Sequence, residues 1–163
     1  MDLIERLVGH DLWTTREVLR RCRELSDAQL NQNIDIDHRT VRATLAHMIW
    51  NLETWSDLML GVPVDRVTER SESLDGLTER HQQAGQRFHS LARRLTDENR
   101  LEALWTDVLD NPPTKKTYGG AISHVITHNM HHRAQLLFML DKLGLKDLPE
   151  GDLLGWEMNY RFR

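Results

Sequence analysis

A single cysteine, Cys22, stands among 163 residues, so no internal disulfide can form. That fits a reducing compartment, and among apolar helical neighbours the thiol reads as a buried structural group, not a nucleophile. No apolar run approaches the roughly 20 residues that a membrane span needs, so no membrane partner is expected. The opening MDLIERLVGH carries acidic residues where a signal peptide would be basic, and no long apolar stretch follows, so the expected location is the cytoplasm. Positive charge is not in excess either. Against 25 Asp and Glu there are 21 Lys and Arg, which removes the basic footprint of a nucleic-acid partner. No internal repeat, low-complexity segment or linker divides the chain. Its length suits one domain over 1–163 with a core that needs no staple. Only four prolines and as many as five tryptophans fit a packed helical protein.

Four stretches carry helical spacing. The first covers about 3–25, with Leu3, Leu7, Val18, Leu19, Cys22 and Leu25 as its apolar stripe. Ser26 with Gln29 three positions on has the form of a capping box. The second stretch runs from Val41, behind Thr40 as N-cap, to Leu60, and Gly61 and Pro63 stop it. The third covers about 73–95, with Leu74, Leu77, Phe88, Leu91 and Leu95 inward. Between 96 and 118 the pattern breaks, and Asn111-Pro112-Pro113 reads as a turn or loop. The fourth helix starts near Tyr118 and lasts to about Leu143, before Gly144. Trp156, Met158, Tyr160 and Phe162 alternate in the tail, which predicts that it docks back on the body. Long helices with long connections predict an all-α four-helix bundle with room for a non-simple topology.

The segment HVITHNMHHRAQL, 124–136, places four histidines within nine positions. Residues at i and i+4 stand one above the other on a helix, so two imidazoles there can share an ion. At about 100° per residue, with His124 at zero, His128 falls near 40°, His132 near 80° and His131 near −20°. Ala121, Val125, Leu136, Met139 and Leu143 define the core side at roughly 60° to 120°. His132 therefore points nearest the interior and His128 next, with His124 and His131 on the flank. A third ligand would come from another helix, and His47 in LAHMIWNLETW lies off the charged side marked by Arg42, Glu53 and Asp57. A buried imidazole needs a partner, and a shared metal would satisfy all three. By spacing alone, a metal site and a polar helix face are equally good readings. His10, His38, His81 and His89 lack such partner spacing and read as solvated or structurally bonded.

HVITHNMHHRAQLLFML resembles the closing helix of the DinB/YfiT-like family, whose pattern there is roughly H-V-x-x-H-x-x-x-H-R-x-Q. VRATLAHMIWNLETW is similar to the family's second-helix signature, a histidine in a LAH context with a tryptophan shortly after. LVGHDLWTTREVL resembles the first helix more loosely. The resemblance implies an up-down-down-up four-helix bundle, often a homodimer. It also implies a divalent metal held by three histidines, which by position are His47, His128 and His132, the three that the wheel selects. Ala134 departs from the glycine usual after the motif's arginine, and its methyl group is expected to bear on helix packing or on the pocket. On the last helix, Ile126, Met130 and Leu137 offer a contact surface for the dimer. In a monomer the tail would cover it instead.

Characterised relatives include transferases and isomerases that use mycothiol, bacillithiol or similar small thiols. The resemblance thus implies a metal-dependent, thiol-dependent S-transferase or isomerase acting on a small-molecule substrate. Zn or Ni leads among the metals, with Fe, Co and Cu also suited to imidazole ligands. Asn51 and His124, each one turn from a ligand, are expected to touch it or wall the pocket, and His10 to stand at the pocket mouth. Arg133 and Gln135 read as links between helices. Two other readings are metal-dependent hydrolysis and a non-catalytic metal-binding bundle of the stress-response kind. Hydrolysis needs a carboxylate as base, and only Asp107, Asp110 or Glu157 is at hand, from the loop or the tail.

Overall fold

The computed structural model describes residues 2–64, 72–149 and 151–158. Four long helices form it: α1 (Leu3–Cys22), α3 (Val41–Leu60), α4 (Leu74–Asp97) and α5 (Tyr118–Lys142). The shorter elements are α2 (Asp27–Leu30), the strands β1 (Leu104–Asp107) and β2 (Thr114–Thr117), and α6 (Leu153–Trp156). Each long helix opens on a side-chain oxygen that satisfies a free backbone N–H: Asp2, Thr40, Ser73 and Thr117. The Ser26–Gln29 capping box forms as expected, and Gly61 ends α3 at φ 69°.

Around the bundle the order of neighbours is α1, α4, α3, α5. Ion pairs give the directions. Residue numbers rise together along α3 and α4, from Glu53–Arg80 to Asp57–Arg87, so these helices run parallel. They also rise together from Asp11–Asn129 to Arg21–Lys146, which makes α1 and α5 parallel. Arg23 at the end of α1 meets Asp75 at the start of α4, and contacts pass from His47–His128 to Trp55–His124, so α1/α4 and α3/α5 are antiparallel. The result is an up-down-down-up bundle. Glu53 and Asp57 turn out to face α4, where Arg80 and Arg87 hold them, and not solvent.

Two apolar clusters fill the interior. One holds Phe88, Trp105, Ile122 and Val125, and the other Leu19, Met48, Leu136 and Met139. The segment expected as a loop at 96–118 contains an antiparallel hairpin, Leu104 opposite Thr117 and Asp107 opposite Thr114. Strands of four residues are too short for alternation to register in sequence, and Lys115 and Lys116 give β2 no apolar face. Trp105 anchors the hairpin in the core, edge-on to Trp55 at 6.0 Å.

The tail docks through Trp156, 2% exposed, whose ring lies 3.1 Å from where a Cβ on Gly9 would stand. Met158 is exposed, and Tyr160 and Phe162 lie outside the described residues. On α5, Ile126 belongs to the core and Leu137 is half-buried near Gly151, so of that surface only Met130 is freely exposed. Ala134 faces solvent, so its methyl group tightens neither helix packing nor a pocket. No helix of the described residues is long and apolar enough to cross a membrane.

Candidate metal centre

Because α3 and α5 are antiparallel neighbours, His47 is carried to the level of the i, i+4 pair His128 and His132. The Nε2 atoms of His47 and His128 lie 3.0 Å apart. The ring of His132 has its centroid 4.8 Å from that of His47 and 4.5 Å from that of His128. Burial follows the helical wheel: His132 is 3% exposed, His128 half-buried, and His124 and His131 exposed.

A fourth imidazole joins them that spacing did not reveal. His38, in the segment between α2 and α3, has its ring 4.1 Å from that of His47 and 5.1 Å from that of His132. One ligating nitrogen each from His38, His47 and His132 all lie within 4.8 Å of one another. The same segment brings in Asp37, whose carboxylate groups with His131 and His132 in the same way. No periodicity could have announced either residue, since the segment is irregular. The only sequence signal is a histidine two residues ahead of the N-cap of the helix that bears His47.

His132 is oriented from behind. Its Nδ1 lies 2.8 Å from Gln135 Oε1 and 3.6 Å from Asp37 Oδ2. Gln135 Nε2 in turn donates to Asp37 Oδ2 at 3.4 Å and contacts His131 Nε2 at 3.0 Å. With Nδ1 so engaged, Nε2 of His132 is the nitrogen left for an ion, and a hydrogen-bonded far nitrogen is the usual support of a metal-bound histidine.

The electrostatics also favour a cation. Burial, reinforced by the neighbouring imidazoles, pushes His47 and His128 down to about 4. Burial lowers His132 as well, opposed in part by the Gln135 hydrogen bond. At neutral pH His47 and His128 are thus neutral rings that can offer a lone pair to a Lewis acid. Two nitrogens bound tetrahedrally at about 2.0–2.1 Å stand roughly 3.3 Å apart. The 3.0 Å between His47 and His128 is close to that spacing. The three ligating nitrogens grouped within 4.8 Å are those of His38, His47 and His132, not the expected triad with His128, which adjoins through His47; as a donor set these imidazoles fit a divalent cation.

The family model for the DinB family matches residues 2–154. The chain belongs to the DinB family. No curated protein matches it. In this DinB-family chain, the remaining expected site residues divide. Asn51 accepts from Trp55 Nε1 at 2.9 Å, and its own Nδ2 is buried with no partner among the described residues. His124 packs against Trp55 at 4.8 Å and against His128 at 5.4 Å, while Lys116 lies over Trp55 at 5.4 Å. Asn51, Trp55, His124 and Lys116 thus continue the surface beyond His128.

His10 is elsewhere. Its Nε2 meets the Gly151 carbonyl at 2.9 Å, and its ring stands edge-on to Trp156, so it fastens the tail and is not at the pocket mouth. Arg133 is a link between helices: it pairs with the Asp11 carboxylate, and Asn129 Nδ2 donates to the same group at 2.9 Å. The other carboxylates considered are also committed, Asp107 and Asp110 to Lys116, and Glu157 to Arg6.

Proposed function

We propose that this DinB-family chain is a divalent-metal-dependent enzyme that transfers or isomerises small electrophiles with a low-molecular-weight thiol. His47, His128 and His132 would hold the ion, with Zn or Ni the first candidates and Fe, Co or Cu also suited. The observation that carries this reading is the convergence of neutral imidazoles from antiparallel α3 and α5, His47 and His128 being 3.0 Å apart. A divalent ion there supplies Lewis acidity, lowering the pKa of a thiol or polarising a carbonyl.

The chain's own residues do the rest. Gln135 fixes the ring of His132, while Trp55 and His124 offer flat aromatic faces to the electrophile. The buried Nδ2 of Asn51 has no acceptor among the described residues, and a substrate oxygen can supply one. Conjugation forms one sulfur–carbon bond, sends the thiol proton to water, and releases the leaving group with its electron pair. The thiol partner would be of the mycothiol or bacillithiol kind, and a chain that uses such a thiol would work in the cytoplasm. Met130 and Phe138, both exposed on α5, are the apolar residues that a homodimer would cover.

Asp37 favours a second reading. Hydrolysis needs a carboxylate beside the ion, and the exposed Asp37 is the one whose oxygen groups with ring nitrogens of this cluster, those of His131 and His132. A panel of small thiols with a chromogenic electrophile, run with the metal-loaded chain beside His132→Ala, tests both. Conjugation that needs His132 supports the transferase. No conjugation with any thiol at saturating metal, together with ester or amide cleavage that needs Asp37, replaces it with the hydrolase. Neither activity leaves a metal-binding bundle without catalysis.

A further inference from the structure

We infer that His38 is a further ligand of this centre, a loop-borne imidazole that caps the ion held by the helical histidines and must yield to an incoming thiol or water. The inference rests on the metal-dependent reading above. Its starting point is placement: His38 is the nearest ring to His47, closer by centroid than either His128 or His132. Its ligating nitrogen shares one 4.8 Å group with those of His47 and His132. A three-histidine site on a tetrahedral ion leaves one position open, and a fourth imidazole standing against two of the three is in position to fill it.

The segment that delivers His38 is built to hold it there. Ile34 N–H donates to the Arg39 carbonyl at 2.7 Å, Arg39 N–H to that of Ile36 at 2.6 Å, and Thr40 N–H to that of His38 at 2.8 Å. Ile34 and Ile36 pack against the apolar cluster beneath. Asp37 and Arg39 have φ of 21° and 66°, a left-handed backbone that side chains rarely adopt. Such strain costs on the order of 1 kcal/mol or more per residue and persists only where the surroundings over-determine it. Here the strained pair brackets His38 and turns it inward.

Among the described residues, no hydrogen bond engages the His38 ring. The Asp37 carboxylate is 3.8 Å from its Nε2, beyond hydrogen-bond length, and the rings that surround it are imidazoles. A cluster of lone pairs facing one another is satisfied by a cation. The cap differs from the other ligands in what carries it. His47, His128 and His132 stand on long helices, within the i→i−4 hydrogen-bond ladder. His38 stands on an irregular segment of about ten residues joined by a few turn hydrogen bonds, so displacing its ring from an ion breaks no helix.

Cobalt(II), whose visible bands report coordination number and ligand type, is the probe. The full chain, His38→Ala and His38→Gln are titrated with the ion, and circular dichroism checks that each is folded. Native protein is expected to bind one ion with four-coordinate bands. The His38 variants should bind it about tenfold or more weakly, with altered bands that free imidazole restores in His38→Ala. A small thiol, 2-mercaptoethanol, should then give its sulfur-to-cobalt band at lower concentration in His38→Ala than in the native chain. Equal affinity, bands and thiol titration in native and variants would remove His38 from the coordination shell and leave the centre standing. A native chain that takes up no cobalt overturns the metal reading itself, and the cap with it.

Discussion

Gln135 Oε1 lies 2.8 Å from His132 Nδ1, three residues along the same face of α5. The contact fixes the tautomer in which Nε2 is free for an ion. Gln135→Leu should therefore weaken metal binding about 10- to 100-fold while leaving the helix content unchanged. Gln135→Glu, which keeps an acceptor, should retain most of the affinity. Competition against a chromophoric chelator measures both, and an unchanged affinity in Gln135→Leu would show that the bond positions nothing.

The Asp11–Arg133 pair is almost wholly out of water, at 1% and 3% side-chain exposure. Removing one member leaves the other charge buried and unpaired. Asp11→Ala and Arg133→Ala should each cost about 3–5 kcal/mol of stability. A double variant, Asp11→Leu with Arg133→Met, should cost clearly less than the sum of the two single losses. Urea midpoints for the full cycle decide this, and simple additivity would refute the coupling.

His81 gives the fold an acid limb. Burial pushes it down to about 4 from 6.5, with Arg16 and Arg133 adding to the effect, so the folded state keeps it neutral where the unfolded chain protonates it. The unfolded state thus binds more protons between pH 6.5 and 4. Stability is intact above that window and falls as pH drops through it. The slope for one such group is about 1.4 kcal/mol per pH unit, for a loss of about 3 kcal/mol at most. His81→Leu should flatten the pH dependence of the urea midpoint by that amount. Because His47 and His128 share the sign, the comparison with native protein at each pH carries the result.

Trp156 closes the tail over Gly9 at 2% exposure. Trp156→Ala should cost about 3–5 kcal/mol through the cavity it leaves. Gly9→Leu should push the indole out, since a Cβ there already approaches the ring at 3.1 Å. Thermal unfolding of both variants should show the loss. A native-like melting temperature in either would mean that the tail contributes no closure.

Cys22 is fully buried, and burial pushes its thiol up to about 12. It should react with an aromatic disulfide reagent only as fast as the chain unfolds, and Cys22→Ala should conjugate small thiols as the native chain does. Fast labelling under native conditions would contradict the structural role.

The boundaries of the long helices, their caps and the inward pair His128 and His132 were legible in the residues alone. Those features depend on interactions within about one helical turn, which spacing and capping side chains express directly. His47 was reached by taking Arg42, Glu53 and Asp57 as the charged side of its helix, although Glu53 and Asp57 in fact face α4 and are buried there. Tertiary structure decided the rest. The hairpin was hidden because two four-residue strands draw their stability from pairing and from Trp105, not from any pattern of their own. Asp37 and His38 were hidden because an irregular segment places its side chains through φ values and distant packing. His10 went to the tail because Gly151, distant in sequence, supplied its hydrogen bond. The α5 sequence by itself put two histidines on one inward face. Which groups stand opposite them was settled by the antiparallel pairing of α3 with α5 and the turn ahead of Thr40, contacts between residues too far apart in sequence for local spacing to encode.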